Sequence, residues 1–164
     1  MSQCFDVAII GGGVAGLSVA AQLPGALRVL LVEGEAQLGY HSSGRSAALF
    51  SKTYGPPDIR RLSRDSEDFF TASHALIEQQ PLLGARGALF VADPDQKDAI
   101  HTHAAAIGHE FGETIVSNKK AAQINPLLRS DMLGACFYEP KAQDIDVDLL
   151  MTLYRKMAQA KKKN

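Results

Sequence analysis

Cysteine is scarce in this chain. Cys4 near the start and Cys136 in an apolar run are the only two among 164 residues. They form neither a CxxC motif nor a metal-ligand spacing, which excludes a disulfide framework and a cysteine-held metal. Both read as free thiols in a reducing, cytoplasmic compartment. Net charge is also slight, at -1, and three of the positive charges are Lys161, Lys162 and Lys163 at the C-terminus. No basic stripe is present to attract nucleic acid, and the terminal lysines read as a solvated end. His101 and His103 stand close together without Cys or Glu partners at metal spacing, so they read as a solvated helix face and no metal is expected. There is no internal repeat and no low-complexity tract.

Long apolar runs are missing too, with one partial exception. Val7 to Leu23 is uncharged and mostly apolar, close to the length of a membrane span. Three consecutive glycines interrupt it, Asp6 precedes it, and no positive segment of a signal peptide stands before it. A strand, a glycine turn and a helix explain it better, so no transmembrane segment is expected.

What is present is a strand–helix–strand opening. Phe5 to Ile10 is rich in β-branched residues, as a buried parallel strand requires. Gly11 to Gly13 break it, Val14 to Leu23 reads as a helix ended by Pro24-Gly25, and Arg28 to Val32 is a second buried strand. This is the βαβ unit of a doubly wound α/β sheet. Gly34 to Tyr54 is rich in Gly and Ser, which suggests a functional loop and a short helix. Asp58 to Ile77 reads as an amphipathic helix with Ile59, Leu62, Phe69, Phe70, Leu76 and Ile77 on its apolar face. Ala88 to Ala92 is a strand candidate. Asp93-Pro94 reads as an N-cap and first helical proline, opening a helix to about Ile107. A short helix near Lys119 to Ile124 ends before Pro126, and Gly134 to Tyr138 is another strand. Asp146 can cap a last helix, with Val147, Leu150, Tyr154 and Met157 facing inward.

Gly11-Gly12-Gly13-Val14-Ala15-Gly16 is a G-x-G-x-x-G at the right place in that unit. Gly11 permits the turn out of the strand, Gly13 lets backbone approach a pyrophosphate, and Gly16 lets the helix pack closely. Val14 and Ala15 open the helix, whose free N–H groups and dipole favour the anion. Glu33 ends the second strand, where a carboxylate accepts from ribose hydroxyls and repels a 2′-phosphate. Together these predict a dinucleotide with an ADP half and argue against NADP. Fingerprint residues alone do not choose between NAD and FAD.

The next segment is more specific. Glu33-Gly34-Glu35-Ala36-Gln37-Leu38-Gly39-Tyr40-His41-Ser42-Ser43-Gly44-Arg45-Ser46-Ala47-Ala48 resembles the continuation found in the D-amino-acid oxidase–like (DAO) superfamily of FAD enzymes. Within it the likeness is greatest to D-arginine dehydrogenases and kindred D-amino-acid dehydrogenases. It continues through Tyr54-Gly55-Pro56, Pro81-Leu82-Leu83, Tyr138-Glu139-Pro140 and Asp144-Ile145-Asp146. The resemblance implies a Rossmann-like FAD-binding domain with a parallel sheet, followed by the beginning of a mixed α+β substrate domain. Residues 1–80 would be the N-terminal part of the FAD-binding domain, 81–140 the start of the substrate segment, and 141–164 a helix returning toward the FAD domain. The same resemblance implies later strands and a carboxylate-clamping arginine from a further half of the enzyme. The chain is therefore expected to be truncated and inactive alone.

By resemblance, FAD is held non-covalently. Gly34 also belongs to the cofactor site, while Ser42, Ser43, Gly44, Arg45 and Ser46 wrap the flavin end, with Ala47, Ala48 and Leu49 continuing that contact. Such a loop supplies hydroxyls, N–H groups and a cation to the flavin edge that gains negative charge on reduction. The implied reaction oxidises the C–N bond of an amine or D-amino acid by hydride transfer to flavin N5. It gives an imine, then a 2-oxo acid and ammonia, with the electron acceptor unspecified. Tyr54 matches a residue whose hydroxyl points at substrate and is the catalytic candidate. Two positions depart from the D-arginine dehydrogenase pattern: Leu49 replaces a histidine and Ala88 an acidic residue, which favours an uncharged substrate. An NAD-linked dehydrogenase and a non-catalytic dinucleotide-binding fragment are the competing readings.

Overall fold

The computed structural model describes residues 4–73, 80–108, 112 and 114–161. The chain divides into two compact units that interleave along the sequence. One is built from residues 1–48, 69–82 and 145–164, the other from 49–68 and 83–144.

The first unit opens with β1 (Val7–Ile10), α1 (Val14–Gln22) and β2 (Val29–Val32). β1 and β2 pair in parallel, Val7 opposite Val29 through Ile10 opposite Val32. This is the expected βαβ unit, with strands one or two residues shorter than the apolar runs. Among the described residues the two strands pair only with each other, and Ile10 is 90% exposed. The unit closes with α5 (Val147–Ala160), which packs on α1. Asp146 caps α5 as expected, its carboxylate accepting from the Leu149 N–H at 2.8 Å. Leu82, Leu150 and Leu153 form the core, with Val14, Phe69, Phe70, Tyr154 and Met157 packed around them. Leu153, absent from the expected inward set, is fully buried. Lys161 is not a solvated end residue. Its Nζ donates to the carbonyls of Ala21 and Leu23 at 2.5 and 2.6 Å, satisfying carbonyls that α1 leaves open at its C-terminus. Lys162 and Lys163 lie outside the described residues.

Among the described residues the second unit holds two three-stranded sheets. In one, β8 (Gln143–Ile145) lies between β3 (Leu49–Phe50) and β4 (Leu83–Ala85). In the other, β7 (Ala135–Glu139) is the middle strand, antiparallel to β5 (Ala88–Ala92) and β6 (Thr114–Val116). β3, β4, β6 and β8 are two or three residues long, too short for alternation to announce them. Helix α3 (Lys97–Ile107) packs Ile100 on Ala92, Ala135 and Phe137. A 3₁₀ turn at Pro94–Gln96 precedes it, and the Asp93 side chain makes no cap hydrogen bond. Helix α4 (Asn118–Ile124) is instead capped by Ser117, whose hydroxyl accepts from the Lys120 N–H.

Three expectations are corrected here. His103 is not on a solvated face: its ring packs between Phe90 and Phe137, and Nε2 is enclosed without a hydrogen-bond partner. The stretch from Gly34 to Tyr54 contains turns and the short β3 but no helix, because closely spaced Gly and Ser favour turns over a continuous ladder. Helix α2 (Pro57–Ala72) buries no residue completely, and Ile59 and Leu62 are exposed. Only its end, at Phe69 and Phe70, meets a core. Leu76 and Ile77 lie outside the described residues.

Candidate dinucleotide site

The site starts where β1 stops. Gly11 donates its N–H to the Val32 carbonyl at 2.8 Å and turns the chain at φ +100°. A Cβ there would meet open space, so backbone conformation alone demands glycine. Gly13 is the N-cap of α1 and has no side chain with which to cap it. Ser43 does that work from the loop, its hydroxyl accepting from the Val14 N–H at 3.0 Å. A Cβ on Gly13 would stand 2.9 Å from that hydroxyl. One on Gly16 would fall 2.0 Å from the Gly11 carbonyl oxygen, which measures how closely α1 lies against the turn. Ala15 is exposed in the first turn.

Glu33 directs its carboxylate back at this turn. One oxygen accepts from the Gly12 N–H at 2.7 Å; the other accepts from the N–H groups of Gly34 and Glu35 at 2.7 and 3.1 Å. The Gly12 bond first, then that from Glu35, hold the carboxyl below its ordinary range, with Gly34 and the nearby His41 adding to the effect. The group is an anion at neutral pH with about one lone-pair site left over from its roughly four.

Beyond Glu33 the chain folds into a run of turns. Gly44 donates to the Gly39 carbonyl at 2.7 Å, and His41 Nε2 lies 2.8 Å from Glu35. The Arg45 guanidinium sits 5.1 Å from the centre of the Tyr40 ring, a cation–π contact. Ser42, Gly44, Arg45, Ser46 and Ala47 are exposed, whereas Ser43 is half-buried at the helix terminus. The Ser46 hydroxyl accepts from the Ala48 N–H, and Ala48 adopts φ +52°, an uncommon conformation for a residue with a Cβ. Gly11, Gly13, Val14, Gly16, Glu33, Gly34 and Ser43 thus converge on one small region of the first unit. A separate cavity of about 730 Å³ in this unit is lined by Leu17, Ala20, Leu23, Leu30, Leu31 and Ala158 among others. Arg28, Arg155, Gln159 and Lys161 also line it, so its wall is mixed, and none of the glycine turn or the Ser42–Ser46 loop belongs to it.

Leu49, Tyr54 and Ala88 belong to the second unit. Leu49 pairs with Asp144, and Ala88 pairs with Glu139. Tyr54 is 62% exposed while its N–H donates to Ser51 at 3.1 Å. Sequence reasoning missed the group behind Tyr54. Glu139 is fully buried and receives hydrogen bonds from Ser51, Lys52 and Thr53. A glutamate closing an apolar strand, Gly134 to Tyr138, was the available signal. No cluster of His, Cys, Asp or Glu among the described residues is arranged to hold a metal. No helix among them is long and apolar enough to cross a membrane.

Comparison with solved structures agrees with this architecture. Glycine oxidase from Geobacillus kaustophilus aligns with a TM-score of 0.76 at 20% identity, covering 96% of this chain and 45% of that one. L-proline dehydrogenase from P. horikoshii aligns at 0.75 and 18% identity, covering 98% and 43%. L-alpha-glycerophosphate oxidase from Mycoplasma pneumoniae, with FAD bound, aligns at 0.70 and 19% identity, covering 98% and 44%. The chain therefore spans less than half the length of these proteins, and at such identities the likeness establishes the α/β Rossmann-like fold. The DAO family model, described as FAD dependent oxidoreductase, matches residues 6–162. FAD is the cofactor of that family, which decides between the two dinucleotides that the glycine turn left open. With its glycine turn, Glu33 and serine loop inside a match over nearly all its length, the chain belongs to the DAO family of FAD-dependent oxidoreductases.

Proposed function

We propose that this protein serves the oxidation of a small, uncharged D-amino acid or amine at its C–N bond, with FAD held non-covalently in the first unit. The observation that carries the reading is the convergence of an open glycine turn, a helix N-terminus and an oriented Glu33 carboxylate. They suit an ADP half: free space at Gly11, N–H groups at the start of α1, and an acceptor for ribose hydroxyls.

In this reading Glu33 binds the ribose and Gly34 lies beside it. Gly11, Gly13, Val14, Ala15 and Gly16 frame the pyrophosphate, with Ser43 able to donate its own proton to a phosphate oxygen while still accepting from Val14. Ser42, Gly44, Arg45, Ser46, Ala47, Ala48 and Leu49 continue toward the flavin end. When bound, FAD supplies a two-electron acceptor for the hydride leaving the substrate carbon, and the resulting imine hydrolyses to a 2-oxo acid and ammonia. Tyr54 presents its hydroxyl to the substrate. Residues 1–48 with 69–82 and 145–164 form the N-terminal part of the FAD-binding domain, and the second unit begins the substrate domain.

Substrate charge follows from what Leu49 and Ala88 lack. A cationic side chain enclosed without a counter-charge is costly, so uncharged substrates are favoured over D-arginine. The test is made on a full-length family enzyme carrying these residues: flavin content by visible absorbance, followed by amino-acid-dependent dye reduction across charged and uncharged D-amino acids. Flavin with highest kcat/KM for uncharged substrates is expected. Arginine or lysine as best substrate would overturn the substrate assignment. Protein that takes up no FAD would overturn the cofactor site.

A further inference from the structure

The most concentrated polar chemistry outside the glycine turn lies in the second unit, around a carboxylate that no solvent reaches. Glu139 is 0% exposed. One oxygen accepts from the hydroxyls of Ser51 and Thr53, each at 2.6 Å, and the other from the Lys52 N–H at 3.0 Å. All three donors come from one turn, 86 to 88 residues away in sequence. Enclosing a carboxylate is expensive unless such donors surround it, and a merely space-filling position would hold an apolar side chain at lower cost.

Ser51 links this anchor to the next residue. Its single O–H points at Glu139, and its lone pairs accept from the N–H groups of Thr53 and Tyr54 at 3.2 and 3.1 Å. The hydroxyl's full capacity is used, so its rotation is fixed by the carboxylate. The anchor stands at the end of a ladder, since Glu139 is the last residue of β7 and pairs with Ala88 of β5. Lys52 adds a second tether through its ion pair with Glu67 of α2. Tyr54 follows this fixed turn, and its ring stands in solvent although its backbone is tied. Gly55, at φ +86°, then turns the chain into α2.

We propose that Glu139 is a positioning residue for Tyr54: its buried carboxylate fixes the Ser51–Thr53 turn, and the Ser51 hydroxyl passes that constraint to the Tyr54 N–H. The functional meaning rests on the reading of Tyr54 as a substrate-facing residue; the mechanical coupling does not.

Both parts are open to test on the flavin-loaded protein. Amide exchange resolved by NMR is measured for wild type, Glu139→Gln, Ser51→Ala and Ser51→Thr. Loss of one well-placed hydrogen bond should speed exchange at Tyr54 by about tenfold or more in Glu139→Gln and Ser51→Ala. Ser51→Thr, which keeps the hydroxyl, should restore it, while Gly134, whose N–H donates to the Ala92 carbonyl at 2.8 Å, stays protected in all four. An unchanged Tyr54 amide in Glu139→Gln with Gly134 protected would overturn the proposal. Should Glu139→Gln fail to fold, the contrast between Ser51→Ala and Ser51→Thr decides by itself, and equal exchange in those two overturns it. For turnover, measured in a full-length family enzyme carrying these residues, Glu139→Gln combined with Tyr54→Phe should be no slower than Tyr54→Phe alone, since both act through one group. Additive losses would mean that Glu139 acts elsewhere. If Tyr54→Phe leaves kcat and KM unchanged, the substrate role of Tyr54 fails, and the exchange data still decide the coupling.

Discussion

The Glu33 carboxylate and the Gly12 N–H meet at 2.7 Å across 21 residues of sequence, joining the end of β2 to the middle of the glycine turn. The side chain proposed to bind the ribose therefore also holds the glycine turn proposed to frame the pyrophosphate. Glu33→Gln keeps the shape but puts an NH₂ where one of the two oxygens accepted. Glu33→Ala removes every acceptor. Weaker FAD binding is expected for both, by about 10-fold to 100-fold for alanine. Alanine should also loosen the turn without cofactor, seen as faster exchange of the Gly12 amide. Unchanged FAD affinity in Glu33→Ala would show that the carboxylate serves the turn alone.

Two glycines give a paired test of packing. A Cβ at Gly16 would overlap the Gly11 carbonyl at 2.0 Å, and backbone cannot swing aside as a side chain can. Gly16→Ala should destabilise the first unit by about 1–3 kcal/mol or more, as overpacking does. At Gly34 a Cβ meets nothing within 4 Å. Gly34→Ala should leave the unfolding free energy within about 0.5 kcal/mol of wild type. Equal midpoints for the two variants would refute the packing explanation.

Ala48 holds φ +52° while its carbonyl accepts from the Ile145 N–H at 2.7 Å. A residue with a Cβ is disfavoured in that conformation by roughly 1–2 kcal/mol. Ala48→Gly should therefore be neutral or slightly stabilising, since relief of strain offsets the added freedom of the unfolded chain. Ala48→Val, β-branched, should destabilise measurably and reduce flavin retention in the same protein. Thermal denaturation of the three proteins with and without FAD checks both statements.

His103 is expected to make the second unit sensitive to acid, since its ring packs between Phe90 and Phe137 with Nε2 enclosed. Desolvation first, then the positive charge of Arg60, depress its pKa below the ordinary 6.5, with Glu139 pulling the other way. The unfolded chain then binds a proton more readily than the folded one. The stability in question is present above about pH 6.5 and declines as pH falls through the depressed folded value. His103→Phe, which keeps an aromatic ring against Phe90 and Phe137, should flatten that decline. Parallel urea titrations at pH 5 and pH 8 measure it. An identical pH dependence in wild type and variant would assign the acid sensitivity to other groups.

Short-range patterns carried the opening of the fold. Apolar runs, three glycines, a helix stop and Glu33 lie within 33 residues, and each acts on its immediate neighbours, so the βαβ unit and its glycine turn could be read directly. Asp146 was legible as a cap for the same reason, its partner Leu149 being three residues away. Ser43 was visible only as part of a loop. Folding alone brought its hydroxyl to Val14, 29 residues earlier, because the bare Gly13 leaves a helix N–H to be satisfied from elsewhere. The apolar face expected along α2 reached a core only at Phe69 and Phe70, since periodicity marks a face and not what covers it. Glu139 read as one letter of a family likeness until the sheet placed it against Ser51. Spacing along the chain records local geometry. Which distant donors enclose a buried charge is decided by how strands and turns pack, and for Glu139 that enclosure is what makes the buried charge tolerable.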